Sequence, residues 1–317
     1  MRSYGEAGVS LAKAEEVVER LRAAVESTRT ERVEGSLGTF AGLFALDDDR
    51  LLAATTDGVG TKLILSRRAG RLFDAGVDLA AHCANDLLTV GAEPLFFLDY
   101  AAAAELDLAE VADLVAGAAS VCRTAGCAIL GGETAELPGI YRESELDFAG
   151  TMVGLVRRAD LVDASRCEPG DAVLGLPSSG LHANGFTLVR RVLGDESFDP
   201  DLLLPPTRLY LEDVRRLRAD CDVRALAHVT GGGIPGNLPR ALPAGLGARI
   251  DPAAWERPPV YAWLDARGVP EEEQRRVFNL GIGFCAVVPA ADAGRAGLPV
   301  IGRLEEGIEG VAWADAP

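Results

Sequence analysis

Thr55-Thr56-Asp57-Gly58-Val59-Gly60-Thr61-Lys62 packs an acid, a base, three hydroxyls and two glycines into one short stretch. The run before it, Leu51-Leu52-Ala53-Ala54, reads as a buried strand, and Leu63-Ile64-Leu65 resumes the apolar character. Asp57 suits magnesium, which prefers hard oxygen ligands. Gly58 and Gly60 let the backbone approach a phosphate closely, Thr61 adds a hydroxyl, and Lys62 adds a compact positive charge. A tight turn with a solvated acid and base fits the local pattern as well. Lys13 and Lys62 are the only lysines in a chain that otherwise uses arginine, so an ammonium here points to a site that wants a point charge and not a planar fork.

With 317 residues, 48% of them hydrophobic and 25% charged, the chain reads as a globular protein of two domains. Its formal charge of −17 repels nucleic acid and anionic membranes, which excludes both as expected partners. Anionic substrates would have to be held against that field by metal, amides and a few cations. The start, Met1-Arg2-Ser3-Tyr4-Gly5, lacks the apolar core of a signal peptide, no run reaches membrane-spanning length, and a cytoplasmic location is expected. Six scattered cysteines without a C-x-x-C read as reduced, buried thiols, and three widely spaced histidines argue against zinc.

Ser10 followed by Leu11, Ala14, Val17, Val18, Leu21 and Val25 predicts an amphipathic helix. Gly35-Ser36-Leu37-Gly38-Thr39-Phe40-Ala41-Gly42 is either a flap over a nucleotide or a turn before the strand Leu43–Leu46. A helix over 74–90 carries Asp78, His82, Asn85 and Asp86 on one polar stripe, which either lines a wet site or faces solvent. Leu95–Tyr100 reads as a central strand, and a helix capped by Asp107 follows. The strand Cys127–Leu130 runs into Gly131-Gly132-Glu133-Thr134-Ala135-Glu136, repeating the pairing of glycines with carboxylates seen at Asp57. Glu133 either completes a metal site with Asp57 and Asp86 or caps a turn.

After a strand over 147–157, the turn Glu168-Pro169-Gly170-Asp171 marks the domain boundary. The strand Ala172–Leu176 leads into Pro177-Ser178-Ser179-Gly180-Leu181-His182-Ala183-Asn184-Gly185, small hydroxyl residues and glycines placed before a helix as in anion sites. His182 is a candidate donor or acid–base group, although a lone histidine is more often structural. A helix over 205–219 bears a solvated arginine face. A strand over 223–229 then enters Thr230-Gly231-Gly232-Gly233, whose glycines suggest close approach to a ligand. A helix over 255–268 and a strand over 285–288 complete the pattern.

Together these stretches resemble the aminoimidazole ribonucleotide synthetases, also called phosphoribosylformylglycinamidine cyclo-ligases. The shared motifs run almost end to end: Tyr4-x-x-Ala7-Gly8-Val9, the Asp57 stretch, Asn85-Asp86-Leu87, Gly91 to Tyr100, Gly131 to Glu136, Ser178 to Gly185, His228 to Gly233 and Phe278-Asn279-x-Gly281-x-Gly283. The resemblance implies an α+β fold with a mixed sheet packed by helices in each of two domains: 1–168 for ATP binding and dimerisation, and 169–317 for substrate binding. It implies a homodimer in which the N-terminal sheets join and bury strand faces such as Leu95 to Tyr100. It also implies ATP, Mg2+ and formylglycinamidine ribonucleotide as co-reactants. Phosphoryl transfer to the formyl oxygen would precede ring closure to aminoimidazole ribonucleotide, ADP and phosphate, with no nucleophilic side chain required.

On this resemblance, Asp57, Lys62, Asp86 and His182 take catalytic roles, with Asp57, Asp86 and Glu133 on the metal. Gly38, Phe40, Gly58, Gly60, Thr61, Asn85, Gly131, Gly132 and Thr134 would hold the nucleotide. Ser178, Ser179, Gly180, Asn184, Thr230, Gly231 and Gly232 would face the substrate. Ser36 and Thr39 stand where relatives carry glycine, which puts flap geometry in question if positive φ is needed there. Gly236 replaces a glutamate before Asn237-Leu238-Pro239-Arg240. Related ATP-using enzymes such as selenophosphate synthetase and thiamine-monophosphate kinase are rival readings; the former would want a reactive cysteine near the N-terminus, and none precedes Cys83. A non-catalytic nucleotide-binding protein of the same fold is the rival from another class.

Overall fold

The computed structural model describes residues 4, 5, 7, 8, 10–143 and 145–314. Met1, Arg2, Ser3 and Val9, quoted above, lie outside them. The first half contains β1 (Val33–Glu34), β2 (Gly42–Ala45), β3 (Arg50–Gly58), β4 (Glu93–Ala103), β5 (Ala128–Glu136) and β6 (Leu146–Arg157). Its helices are α1 (Leu11–Glu26), α2 (Lys62–Arg68), α3 (Leu72–Leu88) and α4 (Leu108–Ala125). The strands form one sheet in the order β1-β2-β3-β6-β4-β5, antiparallel except for the β4·β5 pair, which α4 connects.

The second half holds β7 (Ala172–Pro177), α5 (Phe186–Leu193), α6 (Pro200–Leu203), α7 (Leu211–Asp220), β8 (Ala225–His228) and α8 (Gly233–Asn237). Next come β9 (Leu246–Ile250), α9 (Val260–Ala266), α10 (Glu271–Val277), β10 (Ile282–Val288), α11 (Ala293–Ala296), β11 (Val300–Glu306) and β12 (Val311–Trp313). Its sheet runs β12-β9-β11-β7-β10-β8, with only β12·β9 parallel. Two mixed sheets packed by helices are therefore present, as the resemblance implies.

The two sheets are covered differently. The second is apolar on both faces: Leu174, Leu176 and Phe284 pack under α7, and Val173, Ile250 and Ile301 pack on the other side. The first has α3 and α4 on one face only, sealing Leu51, Leu79, Phe97, Leu114 and Met152. On its other face Phe44, Leu95 and Leu98 remain about 40% exposed.

Several boundaries differ from the sequence expectation. Thr55–Gly58 belongs to β3 itself, and Lys62–Leu65 opens a helix. The residues from Gly131 to Glu136 continue β5 instead of ending it. The helix expected from 205 begins at Leu211, because Pro205-Pro206 favours extended backbone and residues 207–210 dock on α3. α9 likewise starts only after Pro258-Pro259.

α3 and α4 cross where each carries a glycine. A Cβ on Gly76 would stand 1.9 Å from the Leu114 carbonyl oxygen, and one on Gly117 would stand 1.9 Å from that of Phe73. Glycine ordinarily costs about 1 kcal/mol in a helix interior relative to alanine, so these two are retained for contact and not for propensity. Gly117→Ala, which raises helix propensity, is expected to destabilise the chain by roughly 1–3 kcal/mol through overpacking. Chemical denaturation monitored by circular dichroism checks this.

Candidate functional site

The polar stripe of α3 faces the second domain. Lys62, at the start of α2, is fully buried; its Nζ lies 2.9 Å and 2.7 Å from the two oxygens of Asp78 and donates to the Pro205 carbonyl at 3.0 Å. Asp78 Oδ1 also accepts from the backbone N–H and the hydroxyl of Thr207, at 2.8 and 2.7 Å. Burial pulls the Lys62 ammonium below its ordinary pKa, and Asp78 opposes that shift. Lys62 is thus committed to a domain-joining ion pair and does not stand free for a phosphate, which corrects the expectation drawn from its composition. Asn85 is committed in the same way: it donates to Arg208 O and accepts from Tyr210 N, so its side chain reads the second domain's backbone and not a nucleotide.

About two turns along α3 from Asp78, Asp86 meets the end of β8. His228 Nδ1 lies 2.9 Å from Asp86 Oδ1, and the Thr55 hydroxyl donates to Oδ2 at 3.1 Å. Burial raises the Asp86 carboxyl to about 6 and lowers His228 to about 3, so a neutral imidazole donates to a carboxylate. Thr55 and Asp57 alternate onto the same face of β3, and the Asp57 charge acts on both His82 and His228. Asp57 and Asp86 therefore belong to one site.

All three histidines of the chain gather here, despite their separation in sequence. The rings of His82 and His228 are 4.8 Å apart, and the pKa of His182 is driven far down by burial and then by the charges of the other two. His182 is 1% exposed and has φ of 60°; its Nε2 accepts from Ser179 N, and among the described residues Nδ1 has no partner. Gly283 makes room for it, since a Cβ there would stand 2.3 Å from the imidazole Cε1.

The two glycine-containing loops that the resemblance assigns to substrate come together. Asn184 bonds His82 Nε2 at 3.0 Å, and its Oδ1 would be 3.3 Å from a Cβ on Gly231. Several hydroxyls are used internally: Ser178 donates to Gly180 O, Ser179 to Pro206 O, and Thr230 to Asn237 Oδ1. Gly232 turns the chain with φ of 94° ahead of α8. The glycine stretch before β2 reaches this junction through a residue that sequence reading passed over. Arg240 donates to Gly38 O at 3.1 Å, its guanidinium lies 3.9 Å from the Phe40 ring centre, and it feels the Asp86 charge. Ser36 and Thr39 take no positive φ, so the backbone does not require glycine at either position.

Family models agree with this two-part architecture. The AIR synthase related protein N-terminal domain matches residues 38–156, and the corresponding C-terminal domain matches 168–313. Among curated proteins, the phosphoribosylformylglycinamidine cyclo-ligase of Sorangium cellulosum is 48% identical, with 93% of this chain and 90% of that one covered. The Myxococcus xanthus protein of the same name is 44% identical over 97% and 94%.

The chain belongs to the phosphoribosylformylglycinamidine cyclo-ligase family.

The fold recurs in proteins of much lower identity. Thiamine monophosphate kinase from Aquifex aeolicus superposes with a TM-score of 0.66 at 17% identity, covering 96% of this chain and 98% of that one. A hydrogenase maturation protein HypE in complex with ATP gives 0.64 at 22%, covering 86% and 84%.

Within the cyclo-ligase fold, Glu133 does not join Asp57 and Asp86. Asp57 is in register with Gly150, Asp99 and Gly132, whereas Glu133 pairs with Tyr100 and so projects from the opposite face. It also lies three strand spacings away, about 14 Å. Gly131, Gly132 and Thr134 share this exposed edge strand. Among the described residues no group of three or more His, Cys, Asp or Glu side chains is placed to hold a metal. The expected three-carboxylate cluster is not formed among the described residues, because Glu133 faces away from Asp57. Asp57 and Asp86 as a pair fit magnesium, because it commonly takes one or two carboxylates and fills its shell with phosphate and water. On the far side of the Gly60–Thr61 turn, a cavity of about 820 Å3 is walled by Ile64, Arg67, Arg68, Tyr141 and Arg190.

Replacing one member of the buried ion pair leaves the other charge uncompensated, at a cost of about 3–5 kcal/mol. Lys62→Met is expected to lose that stability, and the double variant Lys62→Met/Asp78→Leu is expected to recover part of it. Urea unfolding of the three proteins measures the coupling.

Proposed function

We infer that this chain catalyses the ATP-dependent closure of formylglycinamidine ribonucleotide to aminoimidazole ribonucleotide, releasing ADP and phosphate in purine biosynthesis. The observation that carries the reading is identity of 44–48% across both domains to proteins named for that reaction. The matched N-terminal family domain, residues 38–156, spans the stretch that holds Asp57 and Asp86. A non-catalytic role has no support beside it.

Ring closure must expel the formyl oxygen, a poor leaving group until it carries a phosphoryl group. The amidine-side nitrogen then attacks the carbon, and phosphate departs. Charge neutralisation during phosphoryl transfer is the main requirement. Asp57 and Asp86 would hold magnesium, which when bound supplies positive charge to the phosphates. Arg240 adds a cation beside the flap, and Phe40 and Gly38 border the nucleotide. The amides at Gly231 and Gly232 and the Asn184 side chain orient the substrate from the second domain. His182, whose Nδ1 has no partner among the described residues, would serve as a hydrogen-bonding or acid–base group toward the substrate. A cytoplasmic location accords with this chemistry, and among the described residues no helix is long and apolar enough to cross a membrane.

A homodimer belongs to the same reading. The uncovered face of the first sheet presents Phe44, Leu95 and Leu98 together with Leu52, Val153 and Leu155, an apolar surface of the kind that marks an interface.

Asp57→Asn is expected to keep the circular dichroism spectrum while lowering kcat by about 100-fold or more, read as ADP release with formylglycinamidine ribonucleotide and magnesium present. Near-normal turnover would remove Asp57 from the site. Leu98→Glu is expected to shift sedimentation velocity from dimer to monomer.

A further inference from the structure

α4 ends in a closed turn. The Cys127 N–H donates to Cys122 O at 2.9 Å and the Gly126 N–H donates to Arg123 O at 3.3 Å, with Gly126 at φ 71° and ψ 21°. This pair of bonds sets the side chain three residues before the helix end, at 122, beside the one two residues beyond it, at 127. Those positions ordinarily hold two apolar residues. Here both are cysteine: Cys127 packs against the core cluster that contains Cys122, and the two thiols act on each other's acidity.

The two thiols differ in access. Cys122 is 2% exposed within the first-domain core, while Cys127 is only partly buried and packs against the cores of both domains. They differ in acidity as well: the neighbouring Cys122 draws the Cys127 thiol below its ordinary value and is itself pushed up. Burial raises the other four, Cys83, Cys167, Cys221 and Cys285.

We propose that Cys122 and Cys127 form a reversible oxidation site, a dithiol that a hydroperoxide converts into an intramolecular disulfide. The Cys127 thiolate attacks one peroxide oxygen; the O–O bond breaks, leaving Cys127 as a sulfenic acid, and the departing oxide takes up a proton. The Cys122 sulfur then attacks the sulfenic sulfur; the S–O bond breaks, and hydroxide leaves as water with the Cys122 proton. For hydrogen peroxide the sum is two thiols oxidised by two electrons to one disulfide, with two waters formed. The closed turn holds the two residues side by side, so the second step joins groups that the backbone already keeps adjacent.

The test exposes the full chain to hydrogen peroxide, blocks remaining thiols by alkylation and maps the peptides by mass spectrometry. The expected result is a Cys122–Cys127 linkage lighter by two hydrogens, reversed by dithiothreitol. It should form roughly ten-fold faster than Cys83 or Cys285 loses its alkylatable thiol. In Cys122→Ser, a sulfenic acid on Cys127 should be trapped by a dione reagent. Overturning results are a Cys127 that stays reduced, one that passes to sulfinic acid without linkage in the wild-type chain, or faster loss at another cysteine. The wild-type mapping decides the matter even if the variant fails to fold.

Discussion

The ion pair between Lys62 and Asp78 is the constraint around which the two domains are placed. Both groups are withdrawn from water, a step that costs several kcal/mol per charge and is repaid only when the remaining donors and acceptors are matched. Thr207 and the Pro205 carbonyl supply that matching from the second domain, so the pair is complete only when the domains are joined. A guanidinium would bring a wider, planar group to a place that accommodates a compact ammonium. The buried lysine of this arginine-rich chain therefore belongs to assembly, with Asp86 about two helical turns beyond Asp78 along α3.

Much of this arrangement was legible in the primary structure. The polar stripe of α3 follows from 3.6-residue spacing, the strand ends from apolar runs that stop at glycine, and the loops at 178–185 and 230–233 from their glycines and hydroxyls. What periodicity does not carry is which side chain a distant segment will engage. Lys62 and Asn85 look like ligands of a phosphate site because nothing local reveals that residues 205–210 arrive to consume their hydrogen bonds. Glu133 misled for another reason. Its neighbours imitate the Asp57 stretch, but a strand's alternation and register decide which face a residue takes, and β5 continues for several residues past the point where its apolar run ends. The convergence of His82, His182 and His228 was invisible because they come from three elements far apart along the chain.

The junction combines two carboxylates with imidazoles kept neutral by burial. That balance suits phosphoryl transfer: negative oxygens remain for a cation, while the imidazoles hold positions by hydrogen bonding without adding charge that would compete for the carboxylates. It also fits a strongly acidic chain, in which attraction for anionic substrates has to be created locally and not by the protein as a whole.

Arg240 grips Gly38 and Phe40 from the opposite domain while sensing Asp86. Any displacement of the second half relative to the first would carry this guanidinium with it and pull on the Gly38–Phe40 stretch. The Gly38–Phe40 stretch of one half and the Asp86 junction are thereby tied to one another through a single side chain.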